Sequence, residues 1–155
     1  MKLIAISGSV GVGKERLAKY LAGKLGFYHL DLAEHYKDIS VGYNSKKNCY
    51  DVDLKKFEKL IKEKVKEHHQ IIVDSHIAHL LPKKMVNLCV ILTCSNLKKL
   101  QKNLERKKYS KKKIRENLDT EIFQVCLVEA QKHKLLVVDQ KETKKNILKK
   151  VKKLI

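Results

Sequence analysis

The feature that most constrains the fold is a glycine-rich segment near the start of the chain. Residues 8–14 read GSVGVGK, directly after the apolar run LIAIS and before leucines at a spacing of four. Glycine, four residues, glycine and lysine, placed between a strand and a helix, is the pattern of a phosphate-binding loop. Gly8, Gly11 and Gly13 let backbone N–H groups approach phosphate oxygens, and the following helix N-terminus adds partial positive charge. The segment therefore predicts nucleotide binding within an α/β fold.

The residues that follow the loop bear on how a nucleotide is used. Lys14 supplies a point charge for the β and γ phosphates. Glu15 stands where the pattern has Ser or Thr, whose hydroxyl helps to hold magnesium. A carboxylate there either binds the metal or repels the phosphates, and Arg16 offsets that repulsion. Binding is thus better supported by the sequence than turnover.

Short apolar runs alternate with amphipathic segments along the rest of the chain. Such runs are typical of strands covered on both faces, and strand and helix in alternation predict a mainly parallel sheet with helices on both sides. We expect one domain with strands over residues 2–7, 28–30, 70–74, 87–93 and 135–138. Helical apolar spacing occurs within residues 17–25, 54–65, 114–125 and 147–154. The polar, turn-prone residues 39–51 indicate an insertion between the second and third strands.

Two further groups of residues are candidates for the chemistry. The run IIVDSH ends a predicted strand with Asp74, which suits a carboxylate near magnesium, and His76 suits positioning or deprotonating a water. The alternative is that strand ends commonly carry polar residues. Arg106, in the basic stretch of residues 105–113, is a candidate for closing over a transferring phosphoryl group, or else it lies at a solvated helix end.

The composition is strongly basic, with 35 Lys and Arg against 17 Asp and Glu and a net charge of +18. Residues 98–115 hold ten basic side chains and one acidic, and residues 141–155 hold seven lysines and one glutamate. Such a field favours polyanions and predicts salt-sensitive binding to RNA. The alternative is a lysine-rich composition that only covers solvated helix faces.

The apolar runs and the cysteines indicate the cellular location of the protein and the redox state of its thiols. The runs are too short for a signal peptide or a membrane span, so we expect an intracellular protein without membrane contact. The four cysteines form no Cys-x-x-Cys pair, which favours reduced thiols. For Cys89 and Cys94, buried packing is the favoured interpretation over metal binding.

Several motifs together resemble the adenylate kinase isoenzyme 6 family, the small archaeal and eukaryotic kinase-like ATPases. They are GSVGVGK, DLA at residues 31–33, IIVDSH and, most specifically, RENLDTEIFQVCLVEA at residues 115–130. The resemblance implies a P-loop nucleoside monophosphate kinase-like fold with a five-stranded parallel sheet flanked by helices. It also implies a nucleoside monophosphate-binding insertion at about 31–54 and a short lid at about 105–115.

The resemblance further implies the ligands, the site residues and the partners. ATP and magnesium are the expected cofactors, and AMP or another nucleoside monophosphate is the expected acceptor. Contacts to ATP are implied for Gly11, Gly13, Lys14, Glu15 and Arg16, a magnesium-binding element for Asp74 and His76, and the lid arginine for Arg106. A platform protein of the small ribosomal subunit and pre-ribosomal RNA are the implied partners, in the cytoplasm or, in a eukaryote, the nucleus.

Three departures from the family pattern separate two hypotheses. Glu15 bears on magnesium-dependent turnover, Glu34 replaces an arginine that would bear on AMP binding, and Lys107 replaces a glycine after the lid arginine. The first hypothesis is an ATP-dependent kinase or ATPase. The second is a catalytically weak nucleotide-binding assembly factor that works through its basic surface in maturation of the small ribosomal subunit.

Overall fold

The computed structural model describes residues 2–45 and 49–155. Its strands are β1 (Lys2–Ser7), β2 (Tyr28–Asp31), β3 (Ser40–Asn44), β4 (Cys49–Val52), β5 (Gln70–Asp74), β6 (Leu88–Thr93) and β7 (Leu135–Asp139). Its α-helices are α1 (Lys14–Leu25), α2 (Tyr36–Ile39), α3 (Leu54–His68), α4 (Leu97–Arg106), α5 (Lys111–Ile122), α6 (Val125–Glu129) and α7 (Lys144–Leu154). Short 3₁₀ helices span Leu32–His35, Ala78–Leu80 and Lys83–Met85.

Five of these strands form one parallel sheet in the order β2-β5-β1-β6-β7. This confirms the predicted α/β class with a five-stranded parallel sheet flanked by helices. Each strand begins and ends within one residue of the predicted bounds, because the apolar runs stop abruptly at polar residues. The central strand is β1, so the glycine loop leaves from the middle of the sheet.

The two faces of the sheet are covered by different helices. Side chains alternate along β1, so that Leu3 and Ala5 face one side while Ile4 and Ile6 face the other. The face of Ile4 and Ile6 packs against α1, α4 and α7, and the opposite face packs against α3. All four side chains are almost completely buried, which is why an unbroken apolar run forms this strand.

Every strand of the main sheet ends on a polar residue at the same edge. These residues are Ser7, Asp31, Asp74, Thr93 and Asp139. In open parallel sheets, ligands bind beyond the carboxyl ends of the strands. The fold therefore places the glycine loop, which follows Ser7, directly beside Asp74 on the neighbouring strand.

The predicted insertion contains a separate two-stranded antiparallel sheet. Strands β3 and β4 pair from Ser40 with Val52 to Asn44 with Cys49. The insertion follows β2 and is joined to the core through α3, whose first turn is capped by the Asp53 side chain. The basic stretch of residues 105–113 connects α4 to α5, as the sequence predicts.

One predicted helix is interrupted in the structure. The apolar spacing from Ile114 to Val125 predicts a single helix, but α5 ends at Ile122 and a new helix begins at Val125. Gln124 adopts a left-handed conformation, with φ 51°. Its side-chain amide donates to the carbonyl oxygen of Glu121 at 2.7 Å and to the Glu121 carboxylate at 2.6 Å. These bonds stabilise the break and leave Ile122 and Val125 partly exposed.

The cysteine prediction is confirmed where the side chains are described. Cys89 and Cys94 are buried in the two apolar cores as free thiols, and burial raises the pKa of Cys89 to about 12. Cys126 is also free and buried. In the described ranges, no helix combines the length and apolar character that a membrane crossing requires.

Candidate active site

The glycine loop lies between the end of β1 and the start of α1. Gly8 has φ 153°, and a Cβ at this position would lie 2.4 Å from the carbonyl oxygen of Leu92 on β6. Gly13 has φ 98° and directly precedes the helix. Residues that carry a side chain rarely adopt these backbone conformations. The two glycines therefore allow the loop to pass closely against the sheet and to turn directly into α1.

The Lys14 ammonium group occupies this loop. Nζ donates to the carbonyl oxygens of Gly8 at 3.0 Å and Ser9 at 2.8 Å. Burial lowers the pKa of Lys14 to about 8, and the nearby Asp74 carboxylate works in the opposite direction. A phosphate group offers a stronger partner than two carbonyl oxygens, because both members of the pair are charged. Lys14 is thus a partly desolvated cation whose hydrogen-bond partners are neutral carbonyl oxygens.

Asp74 is held by a histidine that sequence reasoning missed. His29 Nε2 lies 2.5 Å from Asp74 Oδ1, and this bond raises the pKa of His29. Strand β2 pairs with β5 so that His29 faces Ile72, which places it diagonally opposite Asp74. In the sequence, His29 could have been noticed as a polar residue within a short apolar strand. That its partner is Asp74 follows only from the order of the strands.

The carboxylates at this edge suit magnesium in part. Asp31 pairs in register with Asp74 on the adjacent strand, and burial raises the pKa of Asp31. Carboxylate oxygens are the ligands that magnesium prefers. The two aspartates therefore offer carboxylate oxygens at this edge, but the described residues hold no cluster of three or more His, Cys, Asp or Glu side chains arranged for a metal ion. The hydroxyl that such loops normally add is replaced by Glu15.

His76 lies at the mouth of the site and is exposed to solvent. Its Nδ1 is 3.4 Å from the Tyr36 hydroxyl, and the two rings meet edge to face. Surrounding protein atoms desolvate the imidazole and, together with the positive charge of Lys14, lower its pKa to about 4. A group with this pKa is neutral at physiological pH and is a weak base. Of the two predicted roles, the environment favours positioning over deprotonation.

Glu15 and Arg16 lie on the exposed side of the first helical turn. The Glu15 carboxylate is 2.7 Å from the Lys19 ammonium, one turn further along α1, and this pair lowers the pKa of Glu15. The side chain is about half exposed. Its charge is therefore balanced along the helix surface.

Helix α4 packs directly on the tip of the glycine loop. Asn103 Nδ2 donates to the Gly11 carbonyl oxygen at 3.0 Å, and Leu100 and Leu104 lie against Gly11. Arg106, the predicted lid arginine, donates to Asn103 Oδ1 at 3.3 Å. Arg106 is thus joined to the loop through Asn103, and in this state its guanidinium is held on α4.

Lys107 is a second basic residue that the sequence reasoning missed as a site candidate. Residues 100, 103, 104 and 107 share one helical face because their spacing is three, four and seven. Leu100, Asn103 and Leu104 on that face contact the loop, and Lys107 follows on the same side directly after α4 ends at Arg106. The helical spacing alone could have identified it.

The backbone of the connection between α4 and α5 takes its unusual conformation at Lys108 and not at Lys107. Lys107 has φ −77° and ψ 0°, which any residue adopts. Lys108 has φ 58°, in the left-handed region. The chain turns at Lys108, so the departure noted in the sequence at Lys107 places no strain on the backbone.

A cavity of about 220 Å³ adjoins the glycine loop on the side of α5 and α6. Ser9 and Val10 of the loop form one wall, and His76 forms part of another. Asn117 of α5 and Glu129 of α6 lie opposite. The loop and His76 therefore line the same cavity.

Comparisons with known proteins agree with this geometry. Residues 4–124 match the family model described as an AAA domain. Over 139 residues the chain is 36% identical to a protein of Methanocaldococcus jannaschii named as a candidate adenylate kinase, with 88% of this chain and 75% of that protein covered. It is 32% identical over 130 residues to the adenylate kinase isoenzyme 6 homologue of Caenorhabditis elegans, with 82% and 71% covered. The chain belongs to the adenylate kinase isoenzyme 6 family.

The solved structures agree on the fold of this adenylate kinase isoenzyme 6 family member. Shikimate kinase from Acinetobacter baumannii, in complex with shikimate, superposes with a TM-score of 0.67. The superposition covers 99% of this chain and 92% of that one at 13% identity. At this identity the likeness concerns the fold alone, which is that of P-loop kinases. The resemblance seen in the sequence motifs is thus confirmed, and the family is one of nucleotide-binding kinases.

Proposed function

We propose that this family member binds ATP on the glycine loop and transfers the terminal phosphoryl group, to AMP as a kinase or to water as an ATPase. One observation carries the proposal. Lys14 lies in the loop after β1, Asp74 ends the adjacent strand β5 opposite Ile6, and His76 lines one cavity with Ser9 and Val10 of the loop. Phosphoryl transfer needs this combination of a cation, a metal-binding carboxylate and a group that orients the acceptor.

Each residue then has a defined part in the reaction. The N–H groups of the loop and Lys14, released from its two carbonyl partners, bind the β and γ phosphates. Neutral His76 orients the acceptor, and Lys107 and Arg106 approach the transferring group from α4. Asp74 and Asp31 would hold magnesium, which neutralises part of the phosphate charge when it is bound.

The parts of the chain outside the core suggest how the acceptor is enclosed. We assign binding of the nucleoside monophosphate to the insertion at about 31–54 and the lid to about 105–115. Glu34 and His35 lie in the first of these segments, and the His35 ring is 3.8 Å from the Asp38 carboxylate. Among the described residues of this segment, Lys37 is the lysine available to a phosphate, and Glu34 and Asp38 oppose it. AMP binding is therefore expected to be weaker than ATP binding.

The mechanism is tested with single alanine substitutions. Lys14→Ala and His76→Ala should each lower phosphate release from ATP by about a hundredfold or more, as is usual for removing an electrostatic or positioning group. Lys24→Ala removes an exposed lysine from the same helix and serves as the control. Circular dichroism checks that each variant is folded. Turnover like that of the unaltered protein in both site variants would eliminate this mechanism.

A second function is supported by Glu15 and by the exposed basic residues of α4, α5 and α7. In this alternative the protein is an assembly factor that binds nucleotide with little turnover. It acts on pre-ribosomal RNA and a small-subunit platform protein in ribosome maturation. Its RNA affinity should fall steeply between 50 and 200 mM salt, by about a thousandfold if six phosphates are contacted. Affinity that is independent of salt would exclude binding through phosphates.

A further inference from the structure

A chain of three hydrogen-bonded side chains lies beneath the glycine loop, and it runs from two buried residues to the half-exposed Glu129. Ser7, the last residue of β1, precedes the loop directly and is completely buried, and His79 is 1% exposed. Ser7 Oγ is 2.6 Å from His79 Nδ1, and His79 Nε2 is 3.3 Å from Glu129 Oε1. The chain connects the start of the loop, the 3₁₀ helix after β5, and α6. None of these residues was a candidate from the sequence.

The partners fix the direction of each hydrogen bond. The Glu129 carboxylate accepts, so His79 Nε2 carries the hydrogen. Nδ1 is then the acceptor, and the Ser7 hydroxyl donates to it. The His79 backbone is held as well, because His133 Nε2 is 2.8 Å from its carbonyl oxygen. Burial lowers the pKa of His79, consistent with a neutral ring.

Serine, histidine and a carboxylate also form the triad of many hydrolases. In those sites the serine oxygen is accessible to a substrate. Ser7 is inaccessible and its backbone lies within the sheet, paired with Ile91 of β6. The arrangement is therefore unsuited to nucleophilic attack, and its effect is on the position of the neighbouring residues.

The network lies between the glycine loop and the segment that carries His76. On one side, the backbone at Gly8 lies so close to the carbonyl oxygen of Leu92 on β6 that a Cβ there would be 2.4 Å from it. On the other side, Ser7 is bonded to His79, three residues beyond His76. The bond between Ser7 and His79 thus joins the residue before the loop to the segment that carries the acceptor-orienting group.

We propose that His79 is a positioning residue that holds the glycine loop in register with Asp74 and His76 by accepting the Ser7 hydroxyl hydrogen bond. This inference rests on the proposed function, because its main effect is on phosphoryl transfer. ATP affinity depends on the N–H groups of the loop and on Lys14, which the network does not contact. Catalysis depends on alignment, and a misplacement of about 1 Å can slow a reaction a hundredfold.

The test compares variants that remove or retain the bond to Ser7. His79→Leu should lower kcat about tenfold or more while changing the Kd for ATP less than about threefold. His79→Asn should stay within about threefold of the unaltered kcat, because its amide oxygen can take the place of Nδ1 as acceptor. Ser7→Ala should resemble His79→Leu. The double variant should be no slower than the slower single variant, because both substitutions remove the same bond.

A measurement without turnover separates this inference from the proposed function. Amide hydrogen exchange of the free protein should become faster within residues 8–13 in His79→Leu and remain unchanged in α7. Unchanged kcat in folded His79→Leu, or equal losses of kcat and ATP affinity with faster exchange throughout, would overturn the positioning role. If the unaltered protein shows no turnover, the proposed function fails. Exchange in the loop then decides the positioning role alone.

Discussion

ATP binding is predicted to take up a proton through Lys14. In the free protein burial lowers the pKa of this lysine to about 8, from an ordinary value of 10.5. Its nearest partners are carbonyl oxygens of the loop, which stabilise the ammonium only partly. Bound phosphates would add opposite charge next to Nζ and so raise the pKa of Lys14 to its ordinary value or above. Proton uptake on ATP binding is therefore expected between pH 8 and 10.5, where Lys14 is mostly neutral in the free protein and mostly charged in the complex.

The size of the effect follows from the two pKa values. At pH 9 the free lysine is only about 10% protonated, whereas with a bound pKa of 10.5 it is about 97% protonated, an uptake of roughly 0.9 proton. The free protein binds fewer protons than the complex in this pH range, and this difference sets the sign of the pH dependence of ATP affinity. ATP affinity must therefore fall as the pH rises above 8. It should be about tenfold weaker at pH 9 than at pH 7.

Isothermal titration calorimetry provides the assay. Binding heats at pH 9 in buffers of different ionisation enthalpy give the number of protons taken up. The phosphates of ATP are fully ionised at this pH and do not contribute. Lys14→Ala should bind more weakly and take up almost no proton, whereas Lys24→Ala should behave like the unaltered protein. Proton uptake of the same size in Lys14→Ala would refute the reasoning.

Three further substitutions test separate parts of the site. Gly8→Ala would place a Cβ 2.4 Å from the Leu92 carbonyl oxygen, so urea denaturation should show a loss of about 1–3 kcal/mol. A gain in stability would contradict the close approach. Glu15→Thr restores a hydroxyl beside the phosphates, and we expect magnesium-dependent turnover to rise about fivefold, the equivalent of roughly 1 kcal/mol. A fall would show that the carboxylate itself assists the reaction. Lys107→Ala should lower kcat about tenfold or more, whereas Lys102→Ala, on the opposite face of α4, should not change it. Equal effects in a phosphate-release assay would remove the special role of Lys107.

Much of the fold could be predicted because it depends on local pattern. The five parallel strands coincide with apolar runs that end on polar residues, and α1 ends at Leu25 just before Gly26, which adopts the left-handed conformation. The break after α5 could not be predicted, because Gln124 rather than a glycine adopts the left-handed conformation there. The side-chain bonds of Gln124 to Glu121 make that conformation stable, and they are invisible to an analysis of apolar spacing.

The candidate site was predictable only for residues within motifs. Lys14, Asp74 and His76 stand at positions that a sequence pattern names, and their loops follow neighbouring strands. The partners of these residues depend on the order of the strands. His29 meets Asp74 because β2 lies beside β5, and His79 meets Ser7 because β5 lies beside β1. Strand order is set by tertiary packing, so these contacts required the structure.

The central claim is that the site transfers the terminal phosphoryl group of ATP. The most direct test follows ADP formation by the purified protein with ATP, with and without AMP, while magnesium is varied. Magnesium-dependent ADP formation that is abolished in Lys14→Ala would support the claim, and two ADP formed per ATP consumed in the presence of AMP would identify the kinase reaction. ATP binding with no ADP formed under any of these conditions would contradict it.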